Sequence, residues 1–154
     1  MGSGAIRYVH TNLIARDWRA LARFYTEVFG CAVAPPERHL SGDWIDRMTG
    51  IAGVRIDGAH LTLPGYEDGP TLEIFSYEPR RQGDAAQEIN RPGFGHLAFH
   101  VDDVPGVLEK LLAHGGSMLG EVVQKEYECL GRLTAAYARD PEGNILEIQN
   151  WSRP

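Results

Sequence analysis

Apolar positions along the chain alternate between two periods, and the switches mark the elements. Residues 6–15 alternate loosely, as a strand does. Trp18, Leu21, Tyr25, Val28 and Phe29 follow at helical spacing. Asp17 stands before them as an N-cap and Gly30 after them as a terminator. Residues 31–40 resume as an extended segment, with Pro35-Pro36 suited to an edge or turn. Ser41 to Gly50 reads as a short amphipathic helix carrying Trp44, Ile45 and Met48. Val54 to Leu63 and Thr71 to Tyr77 read as strands, separated by turn residues at Pro64-Gly65 and Asp68-Gly69-Pro70.

The same order returns in the second half. Gly95 to Val101 reads as a strand, and Asp103 caps a helix bearing Val104, Val107, Leu108, Leu111 and Leu112. Pro105 is tolerable in that first turn, and Gly115-Gly116 ends the helix. Strands are expected at 117–124, 132–139 and 144–149, the last two joined by the turn Asp140-Pro141-Glu142-Gly143. Glu78 to Pro92 is polar and reads as a linker. The pattern predicts an α+β chain of two strand-helix-strand-strand-strand modules, 6–77 and 93–150, joined by the linker 78–92. Met1 to Gly4 reads as a small, frayed lead-in.

Offsets support a duplication. His96 follows His10 by 86 positions, and the same offset carries Asp17 to Asp103 and Gly30 to Gly116. Glu147 follows Glu73 by 74, which also carries Gly69 to Gly143 and Leu72 to Leu146. The first copy is therefore 12 residues longer between Gly30 and Gly69. The triplet Leu-Glu-Ile stands in both copies, at 72–74 and 146–148.

Strand alternation then sorts the side chains. Leu72 and Ile74 oppose Glu73 and Phe75, and Leu146 and Ile148 oppose Glu147 and Gln149. Leu97, Phe99 and Val101 oppose His96, Ala98 and His100. The apolar faces suit packing under the two helices. The other faces carry His10, Glu73, His96 and Glu147, together with Asn12, Phe75, Ala98, His100, Tyr137 and Gln149 as candidate pocket residues. A lone strand histidine is commonly structural, and a strand glutamate commonly faces water. Four ionisable groups at repeat-equivalent positions suggest instead a divalent-metal site of two imidazoles and two carboxylates. On this reading neither copy alone supplies enough ligands, and the duplication builds the site. His100 fits a pocket wall and a structural histidine equally well. The extra segment with Trp44 and Met48 fits a lid over the site or a plain surface helix.

Bulk properties narrow the classes. A chain of 154 residues with 43% hydrophobic content can bury a core. A net charge of −6 gives no electrostatic reason for a nucleic-acid partner. No apolar run approaches the roughly 20 residues of a membrane span. The two cysteines, Cys31 and Cys129, form no metal-type pair and read as reduced thiols of a cytoplasmic protein.

Through Gly95-His96-Leu97-Ala98-Phe99-His100-Val101-Asp102-Asp103 and Asp140-Pro141-Glu142-Gly143-Asn144-Ile145-Leu146-Glu147, the chain resembles the vicinal oxygen chelate superfamily. That superfamily includes glyoxalase I, methylmalonyl-CoA epimerase, extradiol dioxygenases, and the fosfomycin and bleomycin resistance proteins. The resemblance spans about residues 6–150. It implies paired βαβββ modules whose mixed sheets curl around a metal cavity, with ligands from the first and last strands of each module. Carried over, these are His10, Glu73, His96 and Glu147, holding one divalent ion per chain (Zn, Ni, Co, Mn or Fe).

The intact four-residue set resembles the isomerase and lyase branch. That branch implies proton transfer next to a carbonyl through a metal-bound enediolate, on a small-molecule carbonyl substrate, with Glu147 or Glu73 as the catalytic base. The dioxygenases resemble a narrower set, here His10, His96 and Glu147, and bleomycin-binding members usually lack the ligands. A metal-free binding or resistance protein and an Fe(II) extradiol-type dioxygenase are the alternatives. The resemblance also implies a homodimer.

Overall fold

The computed structural model describes residues 6–81, 83 and 86–153, so the expected lead-in at Met1 to Gly4 lies outside the described residues. The chain divides into two compact units, residues 1–82 and 83–154.

The first unit runs β1 (His10–Ile14), α1 (Trp18–Phe29), β2 (Ala32–Leu40), α2 (Asp43–Thr49), β3 (Arg55–Thr62) and β4 (Thr71–Glu78). Its strands lie in the order β1-β4-β3-β2. β1 is parallel to β4, and the other pairings are antiparallel. Helix α1 starts where the Asp17 carboxylate accepts the Ala20 N–H, an orphan donor of the first turn. It stops at Gly30, whose φ of 72° lies in the left-handed region that favours glycine. Leu21, Tyr25 and Val28 bury one stripe of the helix against β3 and β4. Leu61, Leu72 and Ile74 meet them from the sheet, each at most 1% exposed. Burying one such side chain fully contributes roughly 1.5–3 kcal/mol.

The second unit runs β5 (Leu97–His100), α3 (Val104–Ala113), β6 (Ser117–Met118), β7 (Val123–Tyr127), β8 (Gly131–Arg139) and β9 (Ile145–Ser152). β5 is parallel to β9, β9 and β8 are antiparallel, and both β6 and β7 pair along β8. Asp103 caps α3 by accepting the Gly106 N–H. Val104, Leu108 and Leu111 are the buried stripe, and Leu146 and Ile148 are fully buried in the sheet below. The unit is the first one repeated, even in its seams. The Ala15 N–H donates to Phe75 O at 2.8 Å, and the Val101 N–H donates to Gln149 O at 2.8 Å. At the next position Ser76 Oγ donates to Ala15 O, and Asn150 Nδ2 donates to Val101 O.

Two details depart from the sequence expectation, at 117–124 and at the linker, and the prolines of β2 follow it. The strand expected at 117–124 is two short strands on the same edge of β8. Between them the chain lifts off, and the Leu119 and Gly120 amides both turn to Tyr137 O. In the first unit β2 breaks its pairing between Ala34 and Arg38, where Pro35 and Pro36 have no N–H to give. The linker expected at 78–92 begins inside β4, which runs through Glu78. Gln82, Asp84 and Ala85 lie outside the described residues, and Gln87 Nε2 ties the remainder to Gly95 O at 2.9 Å.

Both cysteines are free thiols, Cys31 buried and Cys129 exposed, and burial pushes the Cys31 thiol up to about 11. Among the described residues no helix is long and apolar enough to cross a membrane, which leaves β-barrel spanning unaddressed. The fold is α+β with mixed sheets.

Candidate metal centre

In each unit the helix covers one sheet face, and the other face carries the ionisable groups. β1 and β4 pair in parallel with Asn12 opposite Glu73, so His10 sits one pleat diagonally from the glutamate. β5 and β9 pair with Ala98 opposite Glu147, which puts His96 in the same diagonal relation. The side chains meet accordingly. His10 Nε2 stands 3.6 Å from Glu73 Oε1, and His96 Nε2 stands 3.0 Å from Glu147 Oε2.

The first unit adds a residue that the sequence reading passed over. β3 pairs with β4 so that His60 lies directly opposite Glu73. His60 Nε2 is 2.7 Å from Glu73 Oε2, and its Nδ1 is 2.9 Å from the Thr71 hydroxyl. The His10 and His60 rings meet edge-on at 5.5 Å. Asn12 Nδ2 donates to Glu73 Oε1 at 2.8 Å. Glu73, 9% exposed, is thus ringed by Asn12, His10 and His60. Desolvation lowers the His60 pKa below the usual imidazole value, against the opposing pull of the Glu73 charge. A neutral imidazole is the form that ligates a metal.

The matching position in the second unit is Tyr137, which β8 places opposite Glu147. Its ring packs edge-on against His96, with centroids 5.1 Å apart. Ala98 stands where the first unit has Asn12. His100 is exposed on β5, and Gln149 is half-buried opposite it on β9.

Phe75 lies on the same face as Glu73 and turns its edge to His60 at 6.4 Å. Its ring also occupies the space over Gly58, where an added Cβ would come within 2.3 Å of it. Beyond Phe75, Ile45 of α2 packs with Val54 and Ile56, so the inserted helix sits on the glutamate-bearing face of its sheet. Its apolar contact there is Ile45, and its Asp46 carboxylate accepts from the Gly53 and Val54 N–H groups just before β3. Trp44 and Met48 point outward, 55% and 78% exposed, so neither covers Glu73 within its unit.

The donor set fits a divalent transition metal. Two donors each about 2.1 Å from a shared ion stand about 3.0–3.4 Å apart. The His10–Glu73 and His96–Glu147 separations lie close to that range. One donor atom from each of His10, His60 and Glu73 also falls within 4.8 Å of the others. Where the sequence offers two candidate donors per copy, the first unit brings three together, because the β3–β4 register adds His60. The pattern hid this residue because its repeat partner is not a histidine.

Comparison with known proteins agrees with the architecture. A family described as Glyoxalase/Bleomycin resistance protein/Dioxygenase superfamily matches residues 7–148. The chain is 26% identical over 148 residues to a probable lactoylglutathione lyase of Vibrio parahaemolyticus, covering 94% of this chain and 91% of that one. It is 28% identical over 114 residues to a 2-epi-5-epi-valiolone epimerase of an Actinomyces species, covering 73% of this chain and 61% of that one. A glyoxalase family protein from Bacillus cereus superimposes with a TM-score of 0.82 at 22% identity, covering 97% and 96% of the two chains. A glyoxalase I mutant from Zea mays superimposes with a TM-score of 0.58 at 24% identity, covering 93% of this chain and 44% of that one. With the repeat, the sheet order and the family match over nearly its whole length, the chain belongs to the Glyoxalase/Bleomycin resistance protein/Dioxygenase superfamily.

Proposed function

We propose that the protein is a metal-dependent lyase or isomerase that moves a proton next to a carbonyl of a small molecule. Its metal donors on this reading are His10, Glu73, His96 and Glu147. The observation that carries the reading is the repeated diagonal pair, a histidine at the start of the first strand (His10) or just before it (His96) beside a last-strand glutamate, in both units. The names of the relatives, a lyase and an epimerase, support the class.

A divalent ion bound there would supply Lewis-acid stabilisation of charge developing on a carbonyl oxygen, worth several kcal/mol. The remaining work falls to the chain. Asn12 and His60 fix Glu73, leaving it little freedom to swing toward a substrate carbon. Glu147 keeps His96 as its close partner and has an alanine where the first unit has Asn12. Glu147 is therefore the carboxylate suited to take the proton, and Glu73 the one suited to hold position. Phe75 and Tyr137 bring aromatic surface to the two carboxylate-bearing faces, which limits water there.

The test is solvent deuterium exchange at the carbon next to the carbonyl, across 2-oxo-aldehyde thiol adducts and acyl thioesters, with metal content measured alongside. Exchange should require metal and disappear on chelation. A protein that binds no metal under stringent dialysis, or shows no exchange across the panel when loaded, would sink the proposal. One observation favours a second reading. His10, His60 and Glu73 form a two-imidazole, one-carboxylate set, a type that also serves oxygen-using Fe(II) enzymes. Oxygen uptake with Fe(II) and a catechol, without exchange, would select that reading.

A further inference from the structure

We propose that residues 6–81 carry a complete three-donor site of their own, in which His10, His60 and Glu73 hold one divalent transition-metal ion. The inference takes His10 and Glu73 as donors from the function proposed above and goes beyond it in making His60 a ligand.

Three adjacent strands put the three groups on one sheet face: β1 carries His10, β4 carries Glu73 and β3 carries His60. Their donor atoms lie within 4.8 Å of one another without any residue of the second unit. Each donor of the His60–Glu73 pair has an outer partner of the kind that orients a metal ligand. Thr71 Oγ1 stands 2.9 Å from His60 Nδ1. At 2.7 Å the Nε2–H donates to Glu73 Oε2; with the proton carried on Nδ1 instead and donated to that hydroxyl, Nε2 would turn a lone pair to an ion held beside Glu73. Asn12 donates to Glu73 Oε1 and fixes the plane of the carboxylate. Two imidazoles and one carboxylate satisfy zinc, iron or cobalt with positions left open for substrate.

The set is peculiar to the first unit. The residues matching His60, Thr71 and Asn12 in the second unit are Tyr137, Ile145 and Ala98, a phenol in place of the imidazole and apolar side chains at the other two positions. His60 and Thr71 thus come as a matched pair, one the donor and one its orienting partner, and both are absent from the other copy.

The test uses the full-length chain, stripped with a chelator and titrated with Co(II) for affinity. Cu(II) loading with pulsed EPR then counts bound imidazoles. His60→Ala should lower Co(II) affinity by more than the roughly 10–100-fold that loss of an outer partner costs. It should also reduce the imidazole count by one. His60→Gln can still donate a hydrogen bond to Glu73, so a merely orienting role would be rescued by it while a ligand role would not. The double variant His96→Ala, Glu147→Gln should keep one ion and the imidazoles of His10 and His60. Far-UV circular dichroism checks that each variant is folded.

If His60→Gln binds like the parent with an unchanged imidazole count, His60 is not a ligand and the inference falls, while loss of binding in the double variant would leave the four-donor reading standing. If the double variant binds like the parent and His60→Ala does not, the four-donor reading falls and this one stands. A parent chain that binds neither ion overturns both.

Discussion

Glu73 accepts a hydrogen bond from Asn12 and stands 2.7 Å from His60, whereas the corresponding neighbours of Glu147 are Ala98 and Tyr137. The backbone around the two glutamates is the same: a parallel partner strand on one side, an antiparallel one on the other, and a histidine one pleat away on the diagonal. A duplicated frame has thus kept its geometry while its two carboxylates were surrounded differently. A carboxylate held by several hydrogen bonds makes a good fixed ligand, and one held by few can change partners during a reaction. On the proposed function, the difference suits Glu73 to holding the ion and Glu147 to proton transfer.

The comparison breaks most visibly on the two carboxylates themselves. At saturating metal, Glu147→Gln should lower deuterium exchange by about 10²–10⁴-fold, the range that a positioned general base supplies. Glu73→Gln should act mainly on metal affinity and cost less in exchange once metal is restored. The reverse order, with metal content intact in both, would exchange their roles.

Next in size is the core on which both faces rest. Ile74 and Ile148 are fully buried at matching positions, each the residue after its glutamate. Ile74→Ala and Ile148→Ala should each cost about 2–5 kcal/mol in urea unfolding, from lost burial and the cavity left behind. Trp44→Ala and Met48→Ala, on the exposed side of α2, should change stability by no more than about 0.5 kcal/mol. A large loss at Met48 would show that α2 packs through more than Ile45.

The partners of the carboxylates give a smaller and sharper readout. Asn12→Ala frees one oxygen of Glu73 and should weaken metal binding about 10–100-fold. The converse change, Ala98→Asn with Tyr137→His, gives Glu147 the neighbours of Glu73. If confinement separates the two glutamates, that double variant should bind metal at least as well as the parent and turn over about 10–100-fold more slowly, since one hydrogen bond to a charged group contributes about 1.5–3 kcal/mol. Unchanged turnover would show that confinement does not distinguish them.

Much of this frame is legible in the sequence because its signals are local. Asp17 and Asp103 announce helix starts, Gly30 a helix end, and Leu72-Glu73-Ile74 the side that each strand residue takes. His60 is not legible in the same way, because its place depends on a pairing across the residues 63–70. A slip of one residue in that hairpin would turn His60 to the helix-covered face, and nothing in the loop composition fixes the register. Repeat matching also discards it, since Tyr137 holds the corresponding place. The break between β6 and β7 is hidden for a related reason: Leu119 and Gly120 leave the ladder by turning both amides to one carbonyl, a choice that hydrophobic pattern does not record. Pro35-Pro36 does mark the matching break in β2, because proline removes the donors outright.

The smallest expected effect tests whether the two helices, like the two carboxylates, have diverged in what holds them. Both begin with an aspartate accepting a backbone N–H at 3.0 Å, Asp17 from Ala20 and Asp103 from Gly106. Their far ends are built alike. Helix α1 closes on the left-handed Gly30, with the Gly30 N–H donating to Thr26 O and the Cys31 N–H to Tyr25 O, and α3 closes through His114 on the left-handed Gly115, with the Gly115 N–H donating to Leu112 O and the Gly116 N–H to Leu111 O. Losing an aspartate cap costs about 1 kcal/mol, and asparagine retains most of it because its side-chain oxygen accepts the same bond. Asp17→Ala and Asp103→Ala should therefore each lower unfolding free energy by about that amount, with Asp17→Asn and Asp103→Asn close to the parent. Urea titrations followed by far-UV circular dichroism would read the difference through the midpoint at constant slope. If Asp103→Ala costs clearly more than Asp17→Ala, α3 depends more on its first turn than α1 does. Equal costs would show that the caps, unlike the carboxylates, have kept one role in both copies.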